Sequence, residues 1–285
     1  MALKLTALVI FALAALVAMI LGYAARRWRS GTKALRARLE TARRPIATKT
    51  YDPSELIGLP EPVQRYFRAA LRGGQQPVAA VNMEHRGTFN PNETGEHWKP
   101  FVSTQRVVTQ RPGFDWDARI AMMPGVTVRV HDAYVAGQGL LRAALFGLVP
   151  LADVRGTPMI AQGELMRFFA EAAWYPTALL PSQGVQWKAV NDRSAMATLR
   201  DADIEVTLLF RFNEHDLIDS VHADARGAMV GKNIVMMPWE CRMSNYQTHN
   251  GMTVPLTGEV AWVRPEGRKA YYRGTVTSLT YEFSS

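Results

Sequence analysis

Apolar residues are distributed along this chain in three regimes, and each predicts its own kind of element. The first is an unbroken run. Leu5 to Ala25 passes 21 residues without a charge, the length an α-helix needs to cross a bilayer. Ten of these residues are Leu, Ile, Val or Phe, which contribute roughly −3 to −6 kcal/mol in total toward insertion. Tyr23 and Trp28 fall where an interfacial aromatic belt belongs.

The second regime repeats every three to four residues. Thr32 to Arg44 is rich in Ala, Arg and Leu and predicts a helix that Pro45 ends. Val63, Tyr66, Phe67, Ala70 and Leu71 fall at i, i+3, i+4, i+7 and i+8 behind Pro62, with Arg65, Arg68 and Arg72 on the other face. Gly73-Gly74 stop this amphipathic helix, which is expected to pack on a sheet. A third helix is predicted from about Met159 to Tyr175, closed by Pro176. Leu165, Met166, Phe169, Ala170, Ala172 and Ala173 share a broad face. Glu164, Arg167 and Glu171 form a charged stripe opposite, flanked by Phe168, Trp174 and Tyr175.

The third regime, after Pro77, has a period of two. Phe114, Trp116, Ala118 and Ile120 alternate with Asp115, Asp117 and Arg119, and Val206, Leu208, Phe210 and Phe212 alternate in the same way. Thr275, Thr277, Leu279, Tyr281 and Phe283 occupy one parity of a last strand. Turn signals at Asn191-Asp192, Asp201-Ala202-Asp203, Asn213 to Asp216, Asn250-Gly251 and Pro265-Glu266-Gly267 come at hairpin spacing. From about Val185 onward this reads as an antiparallel meander, since parallel pairing would need a helix between strands. The fold class is therefore mainly β (α+β): one large curved antiparallel sheet, an open half-barrel, with a few helices packed on it and one transmembrane helix before it. The division expected is an anchor over 1–25, a basic juxtamembrane helix and linker over 26–50, and a single β-rich globular domain over 51–285.

Charge changes the picture only at one end. The net charge is +8, yet from Tyr51 onward 23 Lys/Arg face 24 Asp/Glu. A domain without a basic surplus is not built to grip phosphates, which excludes nucleic acid as the expected partner. The surplus lies beside the apolar run. Arg26-Arg27 follow it at once, whereas signal peptides carry their charge ahead of a shorter apolar core, so an anchor is favoured over a cleaved signal. Lys4 and the amino terminus precede the run and six basic residues follow it before Glu40, so the positive-inside rule places the domain on the cytoplasmic side of a bacterial inner membrane, spanned once. Arg26, Arg27, Arg29 and Lys33 are the candidates for contact with anionic headgroups.

Little of the usual chemistry is present. Cys241 is the only cysteine and reads as an apolar filler in its strand. The six histidines lack metal-site spacing, and Gly137-Gln138-Gly139 continues to Arg142 where a dinucleotide loop needs glycine. Nucleophile elbow and Walker loop are both missing. No catalytic residue, metal or cofactor is accordingly expected. Asp115 and Asp117 share a strand parity that ordinarily meets solvent. His131-Asp132, adjacent on a strand, point to opposite faces and read as two unrelated surface or edge residues. The Glu164/Arg167/Glu171 stripe is the sharpest candidate. Such stripes usually meet water as salt-bridged faces, the favoured reading. The alternative is that the stripe faces a cavity and orients the polar end of a ligand.

Leu59-Pro60-Glu61-Pro62-Val63-Gln64-Arg65-Tyr66 resembles the start of the domain in a bacterial family of uncharacterised, membrane-anchored proteins. Gly163-Glu164-Leu165 through Glu171-Ala172-Ala173-Trp174-Tyr175-Pro176 to Leu180-Pro181 is similar to that family's central segment. The layout is also similar, at greater distance, to lipoprotein-carrier-like half-barrels, whose concave faces hold acyl chains or other lipids. Those carriers work in the periplasm, against the charge-based orientation, so the periplasmic side stays open. The function expected is non-enzymatic binding of a lipid or other apolar ligand, with Glu164, Arg167, Phe168, Glu171, Trp174 and Tyr175 as candidate ligand-binding residues. Two alternatives stand beside it: an enzyme using Glu164, Arg167 and Glu171, with His131, on a small substrate, and a structural or interaction protein of the envelope with no ligand.

Overall fold

The structure is a computed structural model that describes residues 2–47, 50–92, 94–230 and 233–284, without the side chains of residues 230 and 233. The apolar run and the basic segment form one helix, α1 (Ala2–Ala42), about 62 Å long. The sequence reading separated a span from a helix over 32–44; nothing between them stops the helix, and the chain leaves it just before Pro45. The two lone glycines inside, Gly22 and Gly31, cost helix propensity without terminating it. After a 3₁₀ turn (Pro53–Leu56) comes α2 (Glu61–Ala70), with Pro62, Val63, Tyr66, Phe67 and Ala70 buried against the sheet as its period requires.

Six strands then follow in sequence: β1 (Val78–Phe89), β2 (Lys99–Val108), β3 (Gly113–Met123), β4 (Val126–Val135), β5 (Gln138–Leu145) and β6 (Val149–Arg155). The interrupting helix α3 (Pro158–Ala170) is capped by the Thr157 hydroxyl and runs into 3₁₀ turns at Glu171–Trp174, Pro176–Leu179 and Pro181–Gln183. The meander completes the chain: β7 (Gln186–Asn191), β8 (Ser194–Asp201), β9 (Ile204–Phe212), β10 (Ile218–Val230), β11 (Asn233–His249), β12 (Met252–Arg264) and β13 (Gly267–Phe283). All five turn signals fall between consecutive strands. Asn250 and Gly251 both have positive φ, the conformation a two-residue hairpin turn demands. Ala136 and Gly137 do the same between β4 and β5, so the Gly-Gln-Gly segment is a hairpin.

The strands form one antiparallel sheet in the order β6-β5-β4-β3-β2-β1-β13-β12-β11-β10-β9-β8-β7. It is rolled. Between β4 and β8 lie nine strand spacings, about 43 Å if the sheet were flat. Yet Tyr134 on β4 donates a 2.8 Å hydrogen bond to Asp201 on β8, and Arg111 after β2 pairs with the same carboxylate. Only a half-barrel brings them together, and α3 lies inside it between β4–β5 and β9–β10.

Two expectations about strand faces are corrected. On β13 the predicted single parity breaks, because Val276 is buried while Thr275 and Thr277 are exposed. The β1 register steps from Glu84↔Ser278 to His85↔Val276, making Thr277 a bulged extra residue that shifts the inward positions by one. Asp115 is fully buried and Asp117 partly so, rather than solvent-facing. The cause is α1, which continues past the apolar run and covers the convex face of β2–β4. Trp28 Nε1 donates to Asp117 at 2.9 Å, Thr32 Oγ1 to the same carboxylate at 2.7 Å, and Arg36 Nε to Asp115 at 2.9 Å. His131 Nδ1 lies 3.2 Å from Asp115, and its ring packs against Trp28.

Candidate functional site

The helical period of α3 sets its stripe against the concave face of the sheet. Wrapped by the roll, α3 has little free surface: Glu164 is 3% and Glu171 7% exposed. The water-facing reading of the stripe is therefore overturned. Arg167 sits between two carboxylates. Its Nε donates to Glu171 at 2.7 Å, one turn along the helix, and its Nη1 pairs with Asp132 of β4. Gln105 of β2 donates to the other Glu171 oxygen at 2.6 Å. The guanidinium carbon lies 4.9 Å from the ring centres of both Phe114 and Trp116 on β3, a cation–π geometry suited to a desolvated arginine. Asp132 thus belongs to a buried network, and so does His131 on the opposite face. The alternation that separates the pair was read correctly, but not the burial of both faces.

Glu164 meets a second arginine. Arg226 of β10 reaches Glu164 at 3.3 Å and the carbonyl of Gly163 at 3.1 Å, 4.6 Å above the Trp239 ring. Burial raises the pKa of Glu164 well above the carboxylate range and the nearby Asp132 adds to this, outweighing Arg226 and Arg167. Burial opposes the charge on Arg167, but Glu171, Asp132 and Glu164 outweigh it and raise that pKa. With Glu164 neutral, two guanidiniums face two carboxylates and the cluster is balanced. His85 of β1 packs against Trp174, and burial, with Arg167 nearby, pushes it down to about 3.

Beside this cluster is a cavity of about 370 Å³, within the range of ligand pockets. Its walls are apolar: Phe89, Trp116, Ile120, Val130, Leu141, Trp174, Trp239, Met243, Val260, Trp262, Tyr271 and Tyr272. Asp132, Glu164, Arg167, Glu171 and Arg226 supply its polar side. Two lining donors, the indole nitrogens of Trp116 and Trp174, are buried without a hydrogen-bond partner among the described residues, whereas the proton that keeps Glu164 neutral links its carboxyl to Asp132. Two unpartnered donors are the complement of a neutral group that accepts hydrogen bonds, such as a hydroxyl or an ester carbonyl.

Of the sequence-derived candidates, Glu164, Arg167, Glu171 and Trp174 line the cavity. Phe168 and Tyr175 do not; the Tyr175 hydroxyl donates to the Phe168 carbonyl at 2.7 Å and both side chains are core. Arg226, Asp132 and the aromatic residues of β11–β13 were missed. Nothing local marks Arg226, which becomes a partner of Glu164 only through the roll of the sheet. Cys241 is buried and lines the cavity wall, its thiol pKa raised by burial. Arg26, Arg27, Arg29 and Lys33 are exposed on α1, and Arg27 borders a smaller cavity of about 160 Å³ between α1 and β5. Among the described residues, α1 is the one helix long and apolar enough to cross a membrane. No group of three metal-ligating side chains is found among them.

No curated protein matches the sequence. Among solved structures, a LolA superfamily protein from Nitrosomonas europaea aligns at 12% identity over 78% of this chain and 92% of its own, with a TM-score of 0.33. A porin-like protein from Bacteroides uniformis aligns at 7% identity over 73% and 97%, TM-score 0.25. A β-barrel-like protein of unknown function from Brucella abortus aligns at 12% identity over 73% and 99%, TM-score 0.21. The family resemblance read from Leu59–Tyr66 and from the α3 segment is met directly: a family model matches residues 57–281, and the chain belongs to the family of unknown function DUF6920.

Proposed function

We propose that this protein is a membrane-held, non-enzymatic binder of an apolar ligand, with the cavity under α3 as its site. The observation that carries the reading is the cavity itself: an aromatic and aliphatic chamber with a balanced, buried charge cluster on one side. A fold built for stability alone gains little from buried ion pairs, which apolar residues of similar volume replace at no cost or a gain. Orienting a ligand is a use for them. A solid concave face would have favoured a purely structural role, and the cavity argues against it.

Charge balance narrows the ligand. A free carboxylate or phosphate inside would unbalance two guanidiniums already matched by Asp132 and Glu171, whereas a neutral hydroxyl or ester could accept from the two indoles. The ligand class supported is an acyl chain ending in a neutral hydrogen-bonding group. The test is titration of detergent-solubilised protein with a fluorescent monoacylglycerol and a fluorescent fatty acid. The monoacylglycerol should bind more tightly. Val260→Trp, which fills the cavity from β12, should abolish uptake while keeping the unfolding midpoint. Saturable binding that survives Val260→Trp, or no binding of either probe, would sink the reading.

A further inference from the structure

We infer that the open end of the half-barrel docks on the same bilayer that α1 enters, so that the cavity mouth faces one leaflet rather than water. Hairpin connections alternate between the two edges of an antiparallel sheet. Those joining β1–β2, β3–β4, β5–β6, β10–β11 and β12–β13 therefore share one edge. The β8–β9 turn belongs to it as well but has rolled round to Tyr134. The cavity opens along that edge. The exposed residues of its lining include Pro91 and Asn92 after β1 and Met229 at the β10–β11 connection. Met159 joins them from the start of α3, whose Gly163 is held by Arg226 near the tip of β10.

α1 leaves the domain at the same end. Followed toward its N-terminus, it pairs through Arg43 with Glu282, then through Arg36 with Asp115 and Thr32 with Asp117, and finally lays Trp28 against Gly147 in the β5–β6 turn. Trp28 stands only three residues, about 4.5 Å, beyond the apolar run that ends at Ala25. This edge therefore lies at the level where the helix meets headgroups, with Arg26, Arg27 and Arg29 exposed beside it.

Exposed apolar side chains gather there. Met123 is 62%, Val149 55% and Leu151 59% exposed, and Met229, Val235 and Met236 are exposed around the β10–β11 connection. A soluble surface seldom keeps such a rim open to water, and α1 fixes which surface covers it: the leaflet it enters. What passes through the mouth rests on the reading of the cavity as an acyl-chain site; the docking itself does not.

The experiment places single cysteines at Met123, Met229 and Met236, and at Val190 near the end of β7 on the opposite edge, each labelled with an environment-sensitive fluorophore. Cys241 is buried, and unmodified protein carried through the same labelling checks that it stays unreacted. The full chain is reconstituted in vesicles of phosphatidylethanolamine and phosphatidylglycerol containing a lipid spin-labelled just below its headgroup. Loss of fluorescence at the three rim positions, with none at Val190, is the result expected. Rim signals as insensitive to the spin label as Val190 would overturn the docking. Mass spectrometry of the same preparations reports separately whether lipid occupies the cavity. An undocked rim with bound lipid refutes this inference alone, and a docked rim with an empty cavity refutes the ligand reading alone.

Discussion

At the scale of single residues, the concave face is defined by charges held where water does not reach. His85 shows the consequence most simply. Its pKa falls from 6.5 to about 3 because burial against Trp174, and Arg167 behind it, disfavour the charged ring. The unfolded chain takes up this proton on acidification before the folded one does. The stability gained by keeping His85 neutral is therefore whole above pH 6.5 and is lost as pH falls toward 3, about 5 kcal/mol across the window. His85→Gln should flatten that part of the profile, read as the urea midpoint against pH; identical slopes for both proteins would show that His85 does not carry it. The sequence displayed Glu164, Arg167 and Glu171 as a stripe, because i, i+3, i+7 spacing is a local property. It could not show whether the stripe met water. That depends on Asp132, Gln105 and Arg226, which lie 35, 66 and 62 residues from their α3 partners and arrive only by tertiary folding.

At the scale of elements, periodicity identified α2, α3, β3, β9 and the hairpins of the meander. It failed where one element covers another. The Asp115/Asp117 parity looked solvated because no sequence pattern says that α1 continues for a further 17 residues past Ala25 and lies on that face. The bulge at Thr277 defeated the alternation of β13 for a similar reason, since bulges are properties of a strand pair. The α1 contact is a clasp of hydrogen bonds and ring packing on Asp115, Asp117 and His131. Trp28→Ala removes both the indole packing and the donor to Asp117, and should weaken the docking by about 1–3 kcal/mol. Hydrogen exchange of residues 28–39 in the reconstituted protein measures this. Faster exchange there, with the β-sheet core unchanged, is the outcome expected; unchanged exchange would mean the clasp does not hold the helix.

At the scale of the whole molecule, the pieces share one direction. Arg26, Arg27 and Arg29 of the basic surplus, the exposed Tyr23, the cavity mouth and the apolar rim all lie toward the end of the domain where α1 departs. The composition had already confined the surplus to the first 50 residues, and the roll of the sheet adds the mouth to the same end. From the charge asymmetry about α1 we propose that the domain lies on the cytoplasmic side. A cysteine at exposed Val190 should therefore resist a membrane-impermeant maleimide in intact cells and react after lysis. Labelling in intact cells with the outer membrane permeabilised would place the domain in the periplasm instead.

The account depends most on the cavity being a ligand site, and native mass spectrometry of the full chain extracted in mild detergent tests that most directly. It predicts one co-purifying neutral acyl-chain lipid on the wild-type protein, absent from Val260→Trp. A wild-type spectrum of bare protein under conditions that preserve other lipid complexes, or the same lipid retained by Val260→Trp, would contradict it.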